Sequence, residues 1–220
     1  MLHSLPFVFP QSHGRASPPP PCFLRTAGCA PLSLLNEPAV AIVGARRGRL
    51  GPGPAYEFGA EAALCGFIVV SGLALGCDAA AHLGCLSVGG TTAAVLPCGV
   101  DRIVPVSNST LGENILASGG CLVSQYPPGT PPRPFRFVER NRVIAALSRA
   151  VIVMEADMKS GSMHTARFAL QHNKPLACYI PANGSLSSGC RLLLEKHKAV
   201  PLHSTRELRS FLAKLKGEQP

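Results

Sequence analysis

The stretch FIVVSGLALGCDAAAHLG, residues 67–84, decides the fold of this chain. Its run from Phe67 to Val70 is apolar, mostly β-branched and short, which is typical of a strand buried on both faces. A turn with two glycines follows. Asp78 then opens an alanine-rich segment with helical composition, which we expect to run to Ser87. A strand, a tight turn and a helix in this order form one unit of an α/β sheet.

The same alternation continues on both sides of this stretch. Further strands are predicted at Val40 to Val43, Thr91 to Leu96, Cys121 to Ser124, Val151 to Met154, Leu176 to Ile180 and Ala199 to Leu202. Further helices are predicted at Pro54 to Leu64, Thr110 to Ala117 and Val138 to Leu147. The pattern predicts a Rossmann-like, doubly wound α/β fold with a mostly parallel sheet and helices on both faces. Ligands of such sheets bind in the loops that follow the carboxyl ends of the strands.

Three segments of the chain differ in composition. Residues 1–36 contain no acidic residue, a run of prolines from Pro18 to Pro21 and no periodic apolar face. This composition predicts either a disordered leader or a targeting segment, and the residues leave both open. Residues 37–203 are expected to form the α/β domain. Residues 204–220 are expected to form a C-terminal helix and tail, because Ser204 and Glu207 have the spacing of a capping box.

Charge and cysteine content restrict the partners of the chain. The 21 Lys and Arg residues exceed the 12 Asp and Glu residues, so the formal net charge is +9. This excess favours a polyanionic partner such as nucleic acid, although a merely basic protein has the same count. No apolar run approaches the ~18 residues of a spanning helix, so we expect no membrane role. The nine cysteines include no C-x-x-C pair, which favours free thiols in a reducing, cytoplasmic compartment and no metal site.

Two of the strand-end loops carry groups suited to an anion. Gly44 follows the first strand of the domain and precedes Arg46, whose guanidinium can form a bidentate contact with phosphate. Lys159 precedes the sequence from Ser160 to Ser162, which opens a helix where backbone N–H groups and the helix dipole favour phosphate. Because both loops follow strand carboxyl ends, we expect Arg46 and Lys159 to converge on one crevice. A common basic loop and a simple serine N-cap are the alternatives.

The remaining loops indicate no nucleotide cofactor. The turn from Ser71 to Asp78 is not G-x-G-x-x-G, because Leu73 replaces the middle glycine, and no Walker A motif is present. His82 lies one turn into the following helix and is expected to be structural. The stretch from Tyr126 to Arg149 interleaves arginines with aromatic residues, which suits the phosphates and bases of a single strand. A solvated basic helix face would have the same composition.

Several motifs occur together and in one order along the chain. They are Val43-Gly44-Ala45-Arg46, Ser71-Gly72-Leu73-Ala74 with Gly76, Asp78 and His82, Cys98-Gly99-Val100-Asp101 with Pro105 and Asn108, Tyr126-Pro127-Pro128-Gly129-Thr130, Phe137 with Arg140-Asn141-Arg142, and Lys159-Ser160-Gly161-Ser162 with Thr165. In these motifs the chain resembles the DprA/Smf family of DNA-processing proteins, from about Val40 to about Leu202.

The resemblance implies a protein that binds single-stranded DNA, forms a homodimer and assists a RecA-type recombinase during natural transformation. It implies no catalytic residue and no cofactor. The residues that it marks for contact with DNA or phosphate are Gly44, Arg46, Ser71, Gly72, Gly76, Asn108, Arg140, Asn141, Arg142, Lys159, Ser160, Gly161 and Ser162. Of these, we expect Arg46 and Lys159 to be the main phosphate contacts, followed by Arg140 and Arg142.

An enzymatic function is the alternative. Related folds include nucleotide-binding proteins and phosphoribohydrolases that cleave nucleoside monophosphates. General acid–base catalysis requires a group within hydrogen-bond reach of the bond that breaks. In this sequence only Glu155 and Asp78 are candidates for that role, and the glycine-rich loop of those hydrolases is absent.

Overall fold

A computed structural model describes residues 2–7, 22–27 and 37–217. The strands are β1 (Leu2–Phe7), β2 (Cys22–Ala27), β3 (Ala39–Val43), β4 (Ile68–Ser71), β5 (Thr92–Val95), β6 (Cys121–Ser124), β7 (Ala150–Val153), β8 (Leu176–Tyr179) and β9 (Val200–Leu202). The α-helices of the described residues are α1 (Gly53–Leu64), α2 (Cys77–Ser87), α3 (Ser109–Ala117), α4 (Pro134–Leu147), α5 (Gly161–Gln171), α6 (Ser188–Glu195) and α7 (Thr205–Lys216).

The strands form one sheet in the order β1-β2-β6-β5-β4-β3-β7-β8-β9. From β6 to β9 all neighbouring strands are parallel, while β2 pairs antiparallel with β6 and with β1. The chain winds outward from β3 to β6 and then crosses back to place β7 on the other side of β3. The topological switch point therefore lies between the carboxyl ends of β3 and β7, where such sheets bind ligands.

Helices cover both faces of the sheet. Side chains such as Val43 and Val153 face a core formed with α4, α5 and α6. Side chains at the intervening positions of the strands, such as Ile42 and Ile152, face a core formed with α1, α2 and α7 on the other side of the sheet. Because each parallel strand is buried on both sides, its side chains are apolar at odd and even positions alike. The predicted doubly wound, mostly parallel α/β fold is confirmed.

The C-terminal helix begins as the capping box predicts. The Ser204 hydroxyl accepts a hydrogen bond from the Glu207 N–H, and the Glu207 carboxylate accepts one from the His203 N–H. Leu208 and Leu212 of α7 are buried against the sheet. A salt bridge of 2.6 Å from Arg209 to Glu61 joins α7 to α1. Residues 204–217 therefore pack on the α/β domain.

Three helices differ from the sequence prediction. Helix α4 begins at Pro134, four residues before the predicted Val138, because proline is suited to the first turn of a helix and needs no hydrogen-bond partner there. Helix α6 was not predicted. Asp78 was expected to cap α2, but the N-cap is Gly76, with φ of 76°, and Asp78 lies inside the first turn.

The N-terminal segment also differs from the expectation of a disordered leader. Strands β1 and β2 pair with each other, and β2 extends the sheet beside β6. Backbone pairing requires no periodic apolar face, so the composition of this segment did not reveal it. The prolines from Pro18 to Pro21 lie outside the described residues. Whether residues 1–36 act as a targeting segment stays a prediction.

The cysteine side chains that the structure describes are free thiols. Most of them are buried, and burial raises the pKa of Cys85 and of Cys121 to about 12. A thiol with so high a pKa is not a nucleophile at neutral pH. These cysteines act as small apolar core residues, as the sequence predicted.

None of the helices in the described part of the chain is both long enough and apolar enough to cross a membrane.

Candidate nucleic-acid interface

A crevice of ≈ 220 Å³ opens at the switch point between β3 and β7. Its walls come from the loop after β3, the first turns of α2 and α5 and one face of α4. The lining residues are Val43, Gly44, Ala45, Arg46, Ala74, Asp78, Phe137, Val138, Arg140, Asn141, Ser160, Gly161, Ser162 and Thr165. Four separate segments of the sequence therefore meet at the place where the fold predicts a ligand.

Gly44 and Gly76 allow three of these segments to pack closely. A Cβ atom on Gly44 would lie 2.5 Å from the Cys77 sulfur, and one on Gly76 would lie 2.3 Å from the Ala45 carbonyl oxygen. Gly76 also has φ of +76°, which strains any residue with a side chain. Across the crevice, the Ser162 hydroxyl donates a hydrogen bond of 2.8 Å to the Gly44 carbonyl. Gly44 and Ser162 line the crevice, and Gly76 lets the loop before α2 pack against the loop after β3.

Asp78 and Arg140 are buried polar residues in the lining of the crevice. Arg140 is 3% exposed, and its guanidinium donates to the carbonyl oxygens of Gly72 at 2.5 Å and of Val95 at 2.7 Å. The Asp78 carboxylate accepts the Gly72 N–H at 3.1 Å. Burial raises the pKa of Asp78, although the Arg140 charge and backbone N–H groups oppose this. Burial also lowers the pKa of Arg140 to about 10, so it stays charged at neutral pH.

These contacts give Arg140 a structural role. Its hydrogen bonds hold the loop after β4 against the end of β5, and the expected contact of Arg140 with phosphate stays a prediction. A Cβ atom on Gly72 would lie 1.8 Å from an Arg140 nitrogen, so Gly72 is required for this packing. The sequence reveals that this stretch is basic, but it does not reveal which side of α4 faces the sheet.

Glu155 holds the loop that carries Arg46. One of its carboxylate oxygens accepts the Arg49 N–H at 2.9 Å, and the other accepts the Leu50 N–H at 3.2 Å. A Cβ atom on Gly48 would meet the same carboxylate at 2.0 Å. The residue that follows β7 therefore orders the loop that follows β3, across the switch point.

The N-terminus of α5 opens onto the crevice. Ser160 is the N-cap residue, and its buried hydroxyl has no hydrogen-bond partner among the described residues. A Cβ atom on the exposed Gly161 would meet nothing within 4 Å, so neither packing nor backbone conformation requires glycine there. The first N–H groups of a helix have no partner within the helix and favour an anion.

Arg46 and Phe137 form the rim of the crevice. The exposed Arg46 guanidinium lies 5.4 Å from the centre of the half-buried Phe137 ring. The buried Arg140 guanidinium lies 5.9 Å from the same ring. Phe137 was not among the predicted site residues. The spacing of three between Phe137 and Arg140 would have placed both on one helix face, had α4 been predicted to begin at Pro134.

The structure brings only some of the other predicted residues together. Lys159 is exposed and lines a groove between α5 and α6, whereas Arg46 lines the crevice, and Ser160 lines both sites. The expected convergence of Lys159 and Arg46 on one phosphate stays a prediction. Arg142 lies over the Phe168 ring at 4.9 Å and is not part of the crevice lining. These positions separate the predicted cations into two surfaces.

The remaining predicted residues connect loops to each other. The Asn108 amide donates to the Leu73 carbonyl at 2.9 Å, and the Asn141 amide donates to the Gly161 carbonyl at 3.0 Å. The Ser71 hydroxyl donates to the Ile42 carbonyl at 2.6 Å. These side chains position the walls of the crevice, which a sequence motif cannot distinguish from contact with a ligand.

The aromatic and basic stretch forms a cluster of its own. The Arg136 guanidinium lies over the rings of Tyr126, at 5.0 Å, and Phe135, at 5.5 Å. The Tyr126 hydroxyl donates a 2.5 Å hydrogen bond to Glu139. Much of the aromatic surface that the sequence offered for stacking with bases is therefore in contact with Arg136.

A profile of the family described as DNA recombination-mediator protein A matches residues 8–213, which is most of the chain. The chain belongs to this family. The resemblance to the DprA/Smf family is thereby confirmed. Proteins similar to this chain have both names, Smf and DprA.

Two curated relatives illustrate the similarity. DNA processing protein DprA of Streptococcus pneumoniae is 38% identical over 167 residues, which are 75% of this chain and 58% of that protein. Protein Smf of a Synechocystis species is 52% identical over 109 residues, which are 50% of this chain and 27% of that protein. The chain thus matches only part of the length of these relatives.

Solved structures share the fold. DNA processing protein A of Helicobacter pylori has a TM-score of 0.82 and 32% identity, and the match covers 97% of this chain and 96% of that chain. That protein has a single-stranded DNA binding mode described as unique. DprA of Streptococcus pneumoniae has a TM-score of 0.75 and 36% identity, covering 84% of this chain and 65% of that chain. A molybdenum cofactor carrier protein of Chlamydomonas reinhardtii shares the fold alone, at 17% identity.

Proposed function

We propose that this chain binds single-stranded DNA, with a phosphate group seated in the crevice at the switch point. The observation that carries the proposal is the pairing of exposed Arg46 with the open N-terminus of α5 across one crevice of ≈ 220 Å³. A planar guanidinium and a set of helix N–H groups are the two protein groups best matched to a phosphate. The buried, unpartnered Ser160 hydroxyl adds a further donor at the same point.

The rim favours a single strand over a duplex. Phe137 offers a ring face beside Arg46, and an unpaired base can stack on such a ring while its phosphate enters the crevice. Bases in a duplex are stacked on each other and cannot reach a half-buried ring without being extruded, which costs a few kcal/mol. Phosphate contact alone would give no preference for the single strand, because a duplex has the higher density of phosphate charge.

The biological role that we propose follows from the family. Membership in the DNA recombination-mediator protein A family and the DNA-binding relative from Helicobacter pylori support protection of incoming single-stranded DNA and assistance to a RecA-type recombinase in natural transformation. We further propose a homodimer in the cytoplasm. Light scattering would test the dimer, and binding of the purified recombinase to the protein–DNA complex would test that partner.

We propose that the protein is not an enzyme. Both Glu155 oxygens accept backbone N–H groups of the Arg46 loop, and the Asp78 carboxylate is buried against Arg140. Both carboxylates are thus engaged with the surrounding protein, whereas a general acid or base must reach the bond that breaks. Incubation with AMP should therefore release no ribose 5-phosphate, and a catalytic release would support the hydrolase alternative.

The main test is a gel shift with single- and double-stranded oligonucleotides over a salt series. We expect tighter binding of the single strand, with affinity that falls steeply between ~50 and ~200 mM salt. Arg46→Gln should weaken binding about tenfold or more, since a charge-assisted contact contributes about 1.5–3 kcal/mol. Arg206→Gln, on the exposed part of α7, removes the same charge and should change affinity little. Equal affinity for duplex, or equal losses in both variants, contradicts the site.

A further inference from the structure

A second basic surface lies beside the crevice. It is a groove of ≈ 500 Å³ between α5 and α6, and Ser160 lines both it and the crevice. The two therefore open next to each other at the N-terminus of α5. The groove is more than twice as large as the crevice and extends along the α5 surface to Leu170.

The charge of this groove has one sign. Lys159, Arg167, Lys196 and Lys198 line it and are all exposed, and the half-buried His164 lies among them. No Asp or Glu is among the described residues that line it. Four cations from separate turns and loops surround one concave surface. They attract an extended anion more strongly than they attract a single small anion.

The floor of the groove is apolar. Met163, Leu170, Leu192 and Leu193 lie between the cations. Met163 packs against the start of α6, because a Cβ atom on Gly189 would meet its sulfur at 2.7 Å. Cations around an apolar floor suit a strand whose phosphates need charge and whose unpaired bases need apolar surface.

We infer that the groove between α5 and α6 binds a second segment of the same single strand whose phosphate occupies the crevice. This inference rests on the proposed function. The strand passes Ser160 and Lys159 at the N-terminus of α5 and then follows the groove past Arg167 to Lys198. Charge complementarity and continuity with the crevice identify nucleic acid as the occupant.

Oligonucleotide length separates the two sites experimentally. Oligo-dT of about 4 and about 16 nucleotides spans the usual range of single-strand site sizes. The double variant Arg167→Gln/Lys198→Gln should bind the short oligonucleotide like the wild type. It should bind the long one about tenfold or more weakly, because two charge-assisted contacts are lost. Its salt slope with the long oligonucleotide should be shallower by about 1.4, or about 0.7 for each phosphate.

The matched control is Arg206→Gln/Lys214→Gln. Both residues are exposed on α7, which packs on the opposite face of the sheet, and the variant loses the same charge. It should keep wild-type affinity and salt slope with both lengths. The groove inference is overturned if the groove variant binds the long oligonucleotide like the wild type, or if the control loses as much affinity. If the groove variant binds the long oligonucleotide like the wild type, an acidic protein segment becomes the candidate ligand of the groove.

Failure of the proposed function has a different result. Arg46→Gln should weaken binding of both lengths. If this variant binds the short oligonucleotide as tightly as the wild type does, the crevice is overturned as the phosphate site. A wild-type protein that binds neither length overturns both proposals. Lysine acetylation of the wild-type protein gives an independent measurement. The long oligonucleotide should protect Lys198 and the short one should not, while equal acetylation of Lys198 with and without the long oligonucleotide contradicts the groove inference.

Discussion

At the scale of single residues, Arg140 shows how a basic side chain in a family motif can serve the fold. Its guanidinium satisfies two buried carbonyl groups and compensates the Asp78 carboxylate. Such a residue fixes the shape of the crevice that it lines. Arg46, in contrast, is exposed and has no side-chain hydrogen bond among those that join the described residues.

Arg140→Met should destabilise the protein strongly. Removing its guanidinium leaves two buried carbonyl oxygens without their donor, and each such group costs about 1–3 kcal/mol. Arg206→Met is the matched control, and it should cost about 0.5 kcal/mol or less because Arg206 is exposed on α7. Urea unfolding measures both. If Arg140→Met unfolds like the wild type but loses oligo-dT binding, Arg140 is a DNA contact after all.

His82 makes the stability of the protein depend on pH. The Thr92 hydroxyl donates its proton to the Val69 carbonyl, so it must accept the 2.6 Å hydrogen bond from Nδ1 of His82. Burial lowers the pKa of His82 from 6.5 to about 3. Between these values the unfolded chain binds a proton that the folded chain excludes. The free energy of unfolding therefore falls as pH falls, by up to about 1.4 kcal/mol per pH unit from this residue.

The test replaces this histidine with a residue that cannot be protonated. His82→Asn keeps an N–H donor near Thr92, and we expect a flatter dependence of the unfolding free energy on pH between about 4 and 6.5. The control His164→Asn changes a half-buried residue and should keep the wild-type dependence. Parallel curves for the wild type and His82→Asn would show that His82 is not the source.

At the scale of elements, Glu155 links β7 to the loop after β3. Removing its carboxylate in Glu155→Ala frees the N–H groups of Arg49 and Leu50. We expect faster tryptic cleavage after Arg47 and Arg49, and a several-fold loss of oligo-dT affinity, because ordering the loop then opposes binding. Asp157→Ala, an exposed carboxylate in the same turn, should change neither. Wild-type cleavage rates in Glu155→Ala would show that the loop is ordered without this contact.

The strands and most helices were predictable from the sequence because each parallel strand is a short apolar run between turns. The run from Cys121 to Ser124 was predicted with its observed bounds, and the strand from Ala39 to Val43 was predicted one residue short. The prolines before Arg136 suggested a loop, although Pro134 starts a helix well. Helix α6 follows a segment rich in Ser and Gly that suggested only a loop.

The site was predictable in position but not in detail. Sheet topology alone places Arg46 and the N-terminus of α5 at one edge. It does not reveal which motif side chains face the crevice and which connect its walls. Asn108 and Asn141 are in motifs because they hold carbonyl groups of neighbouring loops. Lys159 lies only one residue before Ser160, yet it points to a different groove.

At the scale of the whole molecule, the crevice and the groove both lie around α5. Helices α1 and α7 pack on the other face of the sheet, and the first turn of α2 contributes to the crevice. The order of strands brings β3 and β7 side by side although about half of the chain separates them. The proposed phosphate site depends on this one pairing.

The pairing of β3 with β7 has a consequence during synthesis on the ribosome. Val40 pairs with Ala150, so β3 has no neighbouring strand at the switch point until β7 has left the ribosome. Contacts of such high sequence separation form late in folding, because closing the intervening loop costs entropy before the contact contributes favourable free energy. A nascent chain that ends before α5 therefore has no assembled phosphate site. Capture of a single strand by this crevice reports that β3, β7 and α5 have come together.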